Sequence, residues 1–162
     1  MWPQDIEAIA EAVILRAQAK GLMIATAESC TGGMIGAALT DIAGSSDVFD
    51  RGFITYSNAA KTAMLGVAPE LLAAHGAVSE PVARAMAEGA LAQSLADLAV
   101  SVTGIAGPGG SEHKPEGRVC FALARRGQPT QVETVEFGAR GRAAVRQATV
   151  EHALALIRRT LA

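Results

Sequence analysis

The chain has 162 residues, half of them hydrophobic and only 4% aromatic, with 14 basic residues against 16 acidic ones. That length suits one domain whose core is built mainly from Ala, Val, Leu, Ile and Met. A net charge of −2 excludes the global basic footprint of a nucleic-acid binder.

Pro3 opens a predicted helix over 3–20, with Asp5 and Glu7 where the helix dipole favours negative charge. Ile6, Ile9, Ala10, Val13 and Ile14 form its apolar stripe, and Gly21 is a fitting stop. Leu22 to Thr26 reads as a buried strand. It runs into Ala27-Glu28-Ser29-Cys30-Thr31-Gly32-Gly33, after which Met34 to Leu39 reads as helix. Asp41 to Ser46 is a polar turn of small residues, and Val48 to Tyr56 is the next strand. Asn58 is expected to cap a helix that ends at Leu65 before Gly66. Pro69 opens a helical turn over 70–74, and Ser79-Glu80-Pro81 opens a helix to about Leu95. Leu98 to Val102 is a third buried strand, followed by Thr103-Gly104-Ile105-Ala106-Gly107-Pro108-Gly109-Gly110. Two further strands, 118–124 and 131–137, are joined near Gly127 as a hairpin. Arg142 to Leu161 is a closing helix. Helices alternating with apolar strands predict an α/β fold whose mostly parallel sheet is covered on both faces, with one antiparallel strand from the hairpin.

Cys30 and Cys120 form no CxxC pair, and the three histidines are scattered, so neither a disulfide framework nor the usual zinc spacing is expected. No apolar run reaches the ~18 residues that span a bilayer, and the first residues do not read as a signal peptide. The expectation is a cytoplasmic protein with no metal, no cofactor and no membrane partner, its oligomeric state left open.

Ligands of open α/β sheets bind beyond the carboxyl ends of the strands, which puts both glycine-rich turns on that rim. In the first, Ser29, Thr31, Gly32 and Gly33 combine hydroxyls with backbone N–H groups at a helix start. They can hold an anion, or simply cap the helix. In the second, Thr103, Gly104, Gly107 and Gly109 can meet a ligand through the backbone. Arg142 and Arg146 share a helix face and could clamp a phosphate, or lie in solvent. Ser46, Tyr56 and Lys61 offer a hydroxyl, a phenol and an amine. A lysine whose pKa is lowered by burial could take a serine proton. Cys30 and Cys120 read as packing residues.

The stretches from Thr26 to Gly33, Asp41 to Ser46, Arg51 to Asn58, Gly76 to Glu80 and Thr103 to Gly110, followed by Lys114-Pro115-Glu116-Gly117, together resemble the CinA C-terminal domain family over nearly the whole chain. The resemblance implies a three-layer α/β/α sandwich around a mixed sheet of about five strands. It also implies hydrolysis of the carboxamide of nicotinamide mononucleotide (NMN) to nicotinic acid mononucleotide and ammonia, in pyridine nucleotide recycling. It assigns Ser46 as nucleophile, Lys61 as general base and Tyr56 as helper, without metal. The family's late motif carries an acidic residue where this chain has Gly141. Two other readings stand beside this one: a non-catalytic nucleotide-binding module, and an amidase that uses Ser29 as nucleophile with Ser46 as a binding group.

Overall fold

The computed structural model describes every residue except Glu112. The elements follow in chain order as α1 (Gln4–Lys20), β1 (Ile24–Glu28), α2 (Met34–Thr40), a 3-10 turn (Ser45–Asp47), β2 (Phe49–Ile54), α3 (Asn58–Leu65), α4 (Pro69–His75), α5 (Glu80–Ala92), β3 (Leu98–Gly104), β4 (Arg118–Arg125), β5 (Gln131–Glu136) and α6 (Arg142–Thr160). The sheet order is β2-β1-β3-β4-β5. β1 is parallel to both β2 and β3, β4 is antiparallel to β3, and β5 is antiparallel to β4. Four strands therefore point one way and β4 alone opposes them, as the hairpin predicts.

Helices cover both faces. Ile24 of β1, Val100 of β3 and Phe121 of β4 pack with Ile6 and Ile14 of α1, Leu39 of α2 and Leu154 of α6. Ala25, Ala27 and Ala99 turn to the other face, against Leu65 of α3 and Val82, Met86 and Ala90 of α5. β1 is buried at every position, Thr26 and Glu28 included, as expected of a central strand covered on both faces. The few aromatic residues are replaced by close approach. A Cβ on Gly89 would stand 2.1 Å from the Leu65 carbonyl oxygen, so α5 needs glycine there to pack against the end of α3.

Among the boundaries that differ from expectation, three have clear local reasons. β1 begins two residues later than predicted, because Leu22 N–H returns to the Ala17 carbonyl and Met23 N–H is taken by the Asp97 carboxylate. α3 is capped by Ser57 rather than Asn58, its Oγ accepting from Ala60 N–H at 3.0 Å. α5 stops at Ala92 because Gln93 leaves the helical region.

The parallel register decides which residues can meet. Ile24 is opposite Phe49 and Glu28 is opposite Ile54, so the segments after β1, β2 and β3 emerge on one rim. The segment before β2 lies at the opposite rim. No helix among the described residues is long and apolar enough to cross a membrane.

Candidate active site

Three chain segments build a cleft of about 360 Å³ on the carboxyl rim. The turn after β1 supplies Ser29 and Cys30, the segment from the end of β2 into α3 supplies Tyr56, Asn58 and Lys61, and the end of β3 with the loop after it supplies Thr103 through Ser111. Ala77 and Val78, which lead into α5, and Arg142, the first residue of α6, complete the wall.

At its floor lies Lys61, 1% exposed. Lysine is rarely buried so deeply without partners. Here Nζ donates to the Thr55 carbonyl at 2.8 Å and reaches the Tyr56 carbonyl at 3.5 Å. It also lies 3.0 Å from Ser29 Oγ. The pairing follows from topology. β1 and β2 are neighbouring parallel strands, so the residue just past one meets the first turns of the helix that follows the other. Ser57 as N-cap starts α3 at the point that turns Lys61 inward, and Thr55 N–H anchors the end of β2 to the Glu28 carbonyl at 2.8 Å.

Ser46 is not part of this arrangement. It is exposed, in the 3-10 turn before β2. The six residues of β2, at ~3.3 Å each, put ~20 Å between that turn and the far end of the strand. The expectation that Ser46 faces Lys61 is corrected by strand direction: a residue before β2 and a residue after it leave the sheet at opposite rims. The Gly44 to Ser46 backbone lies there too, held to α1 by Gln18, whose Nε2 donates to the Gly44 carbonyl at 3.0 Å.

The side chain of Tyr56 also has a different neighbour from the expected one. Its ring is 61% exposed, and its hydroxyl accepts from Arg142 Nη2 at 2.8 Å. The main-chain carbonyl of Tyr56, not its phenol, lies near the amine. Arg142 also donates through Nη1 to the Gly107 carbonyl at 2.7 Å. It thereby links Tyr56 to the glycine-rich loop across the mouth of the cleft.

Thr103, Gly104, Gly107 and Gly109 line the cleft as expected. Thr103 gives its hydroxyl to the Ala77 carbonyl at 2.9 Å, so it ties the loop to the start of α5. Gly107 has φ +92°, and a Cβ there would stand 2.5 Å from the Glu116 carboxyl carbon. Glu116 in turn accepts from Gly109 N–H at 2.5 Å. The glycines thus serve the folding of the loop onto Glu116 as well as the lining of the cleft.

Thr31, Gly32, Gly33 and Arg146 are not among the residues that line the cleft. The anion site expected at the start of α2 is filled from within. The Glu28 carboxylate accepts from Ile35 N–H and Gly36 N–H, both at 3.0 Å, and from the Thr31 hydroxyl at 2.5 Å. A carboxylate already satisfies the donors that a phosphate would need. Arg146 donates to the Cys30 and Thr31 carbonyls, so its guanidinium serves the turn. Sequence reasoning attached no role to Glu28, although a carboxylate at the end of a buried strand that leads into a helix was a usable signal. It also passed over Asn58 as a wall residue, reading it as a cap.

Cys30 stands beside Ser29 and invites comparison as a nucleophile. Burial is the main cause that pushes its thiol up to about 11, and Glu28 adds to the effect. The reactive form is the thiolate, and at pH 8 only ~10⁻³ of such a thiol is ionised. Iodoacetamide at pH 8 is therefore expected to leave the protein's activity unchanged. Stoichiometric alkylation of Cys30 with parallel inactivation would contradict this.

Among the described residues the cleft wall carries Arg142, whose guanidinium stays charged, and no carboxylate, so its field favours an anionic ligand. No group of three or more His, Cys, Asp and Glu side chains that could hold a metal ion occurs among the described residues.

The sequence model of the CinA C-terminal domain matches residues 6–161. The chain belongs to the CinA C-terminal domain family. Within the family, the nicotinamide-nucleotide amidohydrolase PncC of Escherichia coli (strain K12) is 56% identical over 125 residues, 76% of each chain. A CinA-like protein of Syntrophobacter fumaroxidans is 50% identical over 156 residues, covering 96% of this chain and 36% of that protein. A relative in Symbiobacterium thermophilum is 51% identical over 170 residues, and the chain spans 40% of its length. Family members thus include proteins far longer than the region shared with this chain. Among solved structures, the competence/damage inducible protein CihA of Agrobacterium tumefaciens superposes with a TM-score of 0.96 at 51% identity, over 99% of this chain and 98% of that one.

Proposed function

We propose that the protein is an amidohydrolase that converts NMN to nicotinic acid mononucleotide and ammonia, with Ser29 as nucleophile and Lys61 as general base. The observation that carries this reading is the buried Ser29–Lys61 contact at 3.0 Å on the wall of a positively charged cleft. The family supports it, since a relative sharing 56% of aligned residues is named for the same activity. The Ser29 alternative raised from the sequence replaces Ser46 on grounds of position.

In this mechanism the carboxamide carbon sits above Ser29 Oγ. Lys61 takes the role of base because its Nζ is held in the floor of the cleft, 3.0 Å from Ser29 Oγ. The Thr55 and Tyr56 carbonyls hold its nitrogen while another direction meets the serine. Ser29 attacks, its proton passes to Lys61, and the C–N bond breaks as Lys61 protonates the departing ammonia. Water then attacks the acyl carbon and gives a proton to Lys61, and that proton returns to Ser29 Oγ as the acyl C–O bond breaks and nicotinic acid mononucleotide is released. The tetrahedral oxyanion needs preorganised donors. We assign that role to the backbone N–H of Cys30, next to the nucleophile, and to peptide groups of the loop at 103–110, which line the same cleft. Arg142 and that loop take the phosphate end of the nucleotide, and the ring of Tyr56 flanks the entrance.

The deciding experiment is ammonia release from NMN by the purified protein, with nicotinic acid mononucleotide formed in equal amount. Turnover is expected to persist unchanged in excess EDTA. Loss of turnover in EDTA with recovery on adding a divalent ion would overturn the metal-free serine–lysine route. Tight NMN binding without ammonia release would favour a binding module.

A further inference from the structure

Arg142 and Arg146 are one helical turn apart on the same face of α6, yet they have different surroundings. Arg142 stands at the mouth of the cleft. Arg146 is half-buried and turns towards the turn between β1 and α2. Its Nε donates to the Cys30 carbonyl at 3.0 Å, and its Nη2 reaches the Thr31 carbonyl at 3.4 Å. We infer that Arg146 is a positioning residue for the nucleophile, holding the turn that carries Ser29 rather than binding the substrate phosphate. This inference rests on the reading of Ser29 as nucleophile.

The physical reason begins with the turn itself. Gly32 and Gly33 have φ +57° and +104°. Two glycines in succession give the backbone the conformations it needs but no stiffness of its own. Stiffness must come from outside. In a trans peptide the C=O and the next N–H point in opposite directions. A donor on the Cys30 carbonyl therefore fixes the first peptide plane after Cys30, and a donor on the Thr31 carbonyl fixes the next. The N–H of that second plane belongs to Gly32, and it closes on the Ser29 carbonyl at 3.1 Å. One guanidinium thus orients two consecutive peptides, the second of which returns to the nucleophile's own residue.

Glu28 holds the turn from the other side. Its carboxylate, 1% exposed, takes the Thr31 hydroxyl and two N–H groups of α2. Thr31 is therefore held by its carbonyl from Arg146 and by its hydroxyl from Glu28. Ser29 N–H is bonded to the Val102 carbonyl at 3.1 Å, which completes the restraint. A planar fork of donors can serve two carbonyls at once, whereas an ammonium acts as a point charge on a flexible stem.

Reaction rates are sensitive to such restraint, since a misplacement of ~1 Å costs ~10²-fold. Arg146→Met keeps much of the apolar stem and removes the donors. It is expected to lower kcat for NMN ~10²-fold while KM stays within ~3-fold, because the lost contact acts on the reacting group and not on uniform binding. Arg146→Lys keeps the charge and a single donor site, and should recover part of that loss. Labelling of Ser29 by a fluorophosphonate, which needs an activated serine but no phosphate contact, should slow in parallel with kcat.

The test measures kcat, KM and the fluorophosphonate labelling rate for the wild type, Arg146→Met, Arg146→Lys and Arg142→Ala, with the melting temperature of each. A raised KM with intact kcat in Arg146→Met would make Arg146 a substrate ligand and overturn the inference. Wild-type kcat and labelling in the folded variant would also overturn it, even with a lowered melting temperature, because Arg146 would then support only the fold. Should Arg146→Met not fold, Arg146→Lys decides: reduced kcat and labelling at unchanged KM support positioning, and wild-type values refute it. Failure of the wild type to release ammonia from NMN would instead remove the proposed activity. Arg146-dependent labelling of Ser29 would in that event still support the positioning role.

Discussion

Ser29→Ala is expected to lower turnover of NMN by ~10³-fold or more, because removal of a nucleophile leaves only binding and oxyanion stabilisation. Lys61→Ala should cost about as much, and the double variant should be little worse than either single one, as for residues that act as one unit. Lys61→Arg should not rescue, since a guanidinium stays protonated and cannot serve as base. The two single variants should differ in stability. Lys61→Ala leaves the Thr55 carbonyl without the amine that now donates to it at 2.8 Å, and a buried acceptor so abandoned costs ~1–3 kcal/mol. Ser29→Ala removes only a small hydroxyl, so it gives the cleaner kinetic test. Ser46→Ala, at the opposite rim, should keep wild-type kcat and KM. Residual turnover in Ser29→Ala together with abolition in Ser46→Ala would overturn the assignment of the nucleophile.

The second large effect concerns the phosphate. Nicotinamide riboside lacks the anion that the charge of the cleft favours, and its kcat/KM is expected to be ~10²-fold below that of NMN, the scale of one or two charge-assisted hydrogen bonds. Arg142→Ala should raise KM for NMN ~10-fold and leave the riboside nearly unaffected, because the lost interaction is with a group that the riboside does not carry. Equal kcat/KM for the two substrates would remove phosphate recognition from the reading. An equal loss on both substrates in Arg142→Ala would mean that this arginine acts through its bonds to the Tyr56 hydroxyl and the Gly107 carbonyl.

The alternation of helices with short apolar strands carried the layer arrangement and the antiparallel hairpin, because burial on both faces leaves a continuous apolar run that is visible in one dimension. The glycine-rich loop after β3 and Lys61 were likewise recognisable, as unusual residues in a strand-to-helix context. The choice between Ser29 and Ser46 was not. Both serines stand in turns rich in small residues, and Ser46 is nearer to Lys61 along the chain. Only the direction of β2 separates them, by putting Ser46 before the strand and Lys61 after it.

By itself, then, the sequence determined the succession of elements, the rim on which ligands would collect and the residue types available there, since these depend on local periodicity and turn chemistry. The tertiary structure decided the partners. Parallel pairing of β1 with β2 brings together Ser29 and Lys61, 32 positions apart, and α6 returns Arg146 to the Cys30 carbonyl across 116 positions. A buried amine, an occupied helix start and a guanidinium on two carbonyls are outcomes of chain crossing and burial. No local pattern distinguishes them from a solvated lysine, an open anion site and an exposed basic face.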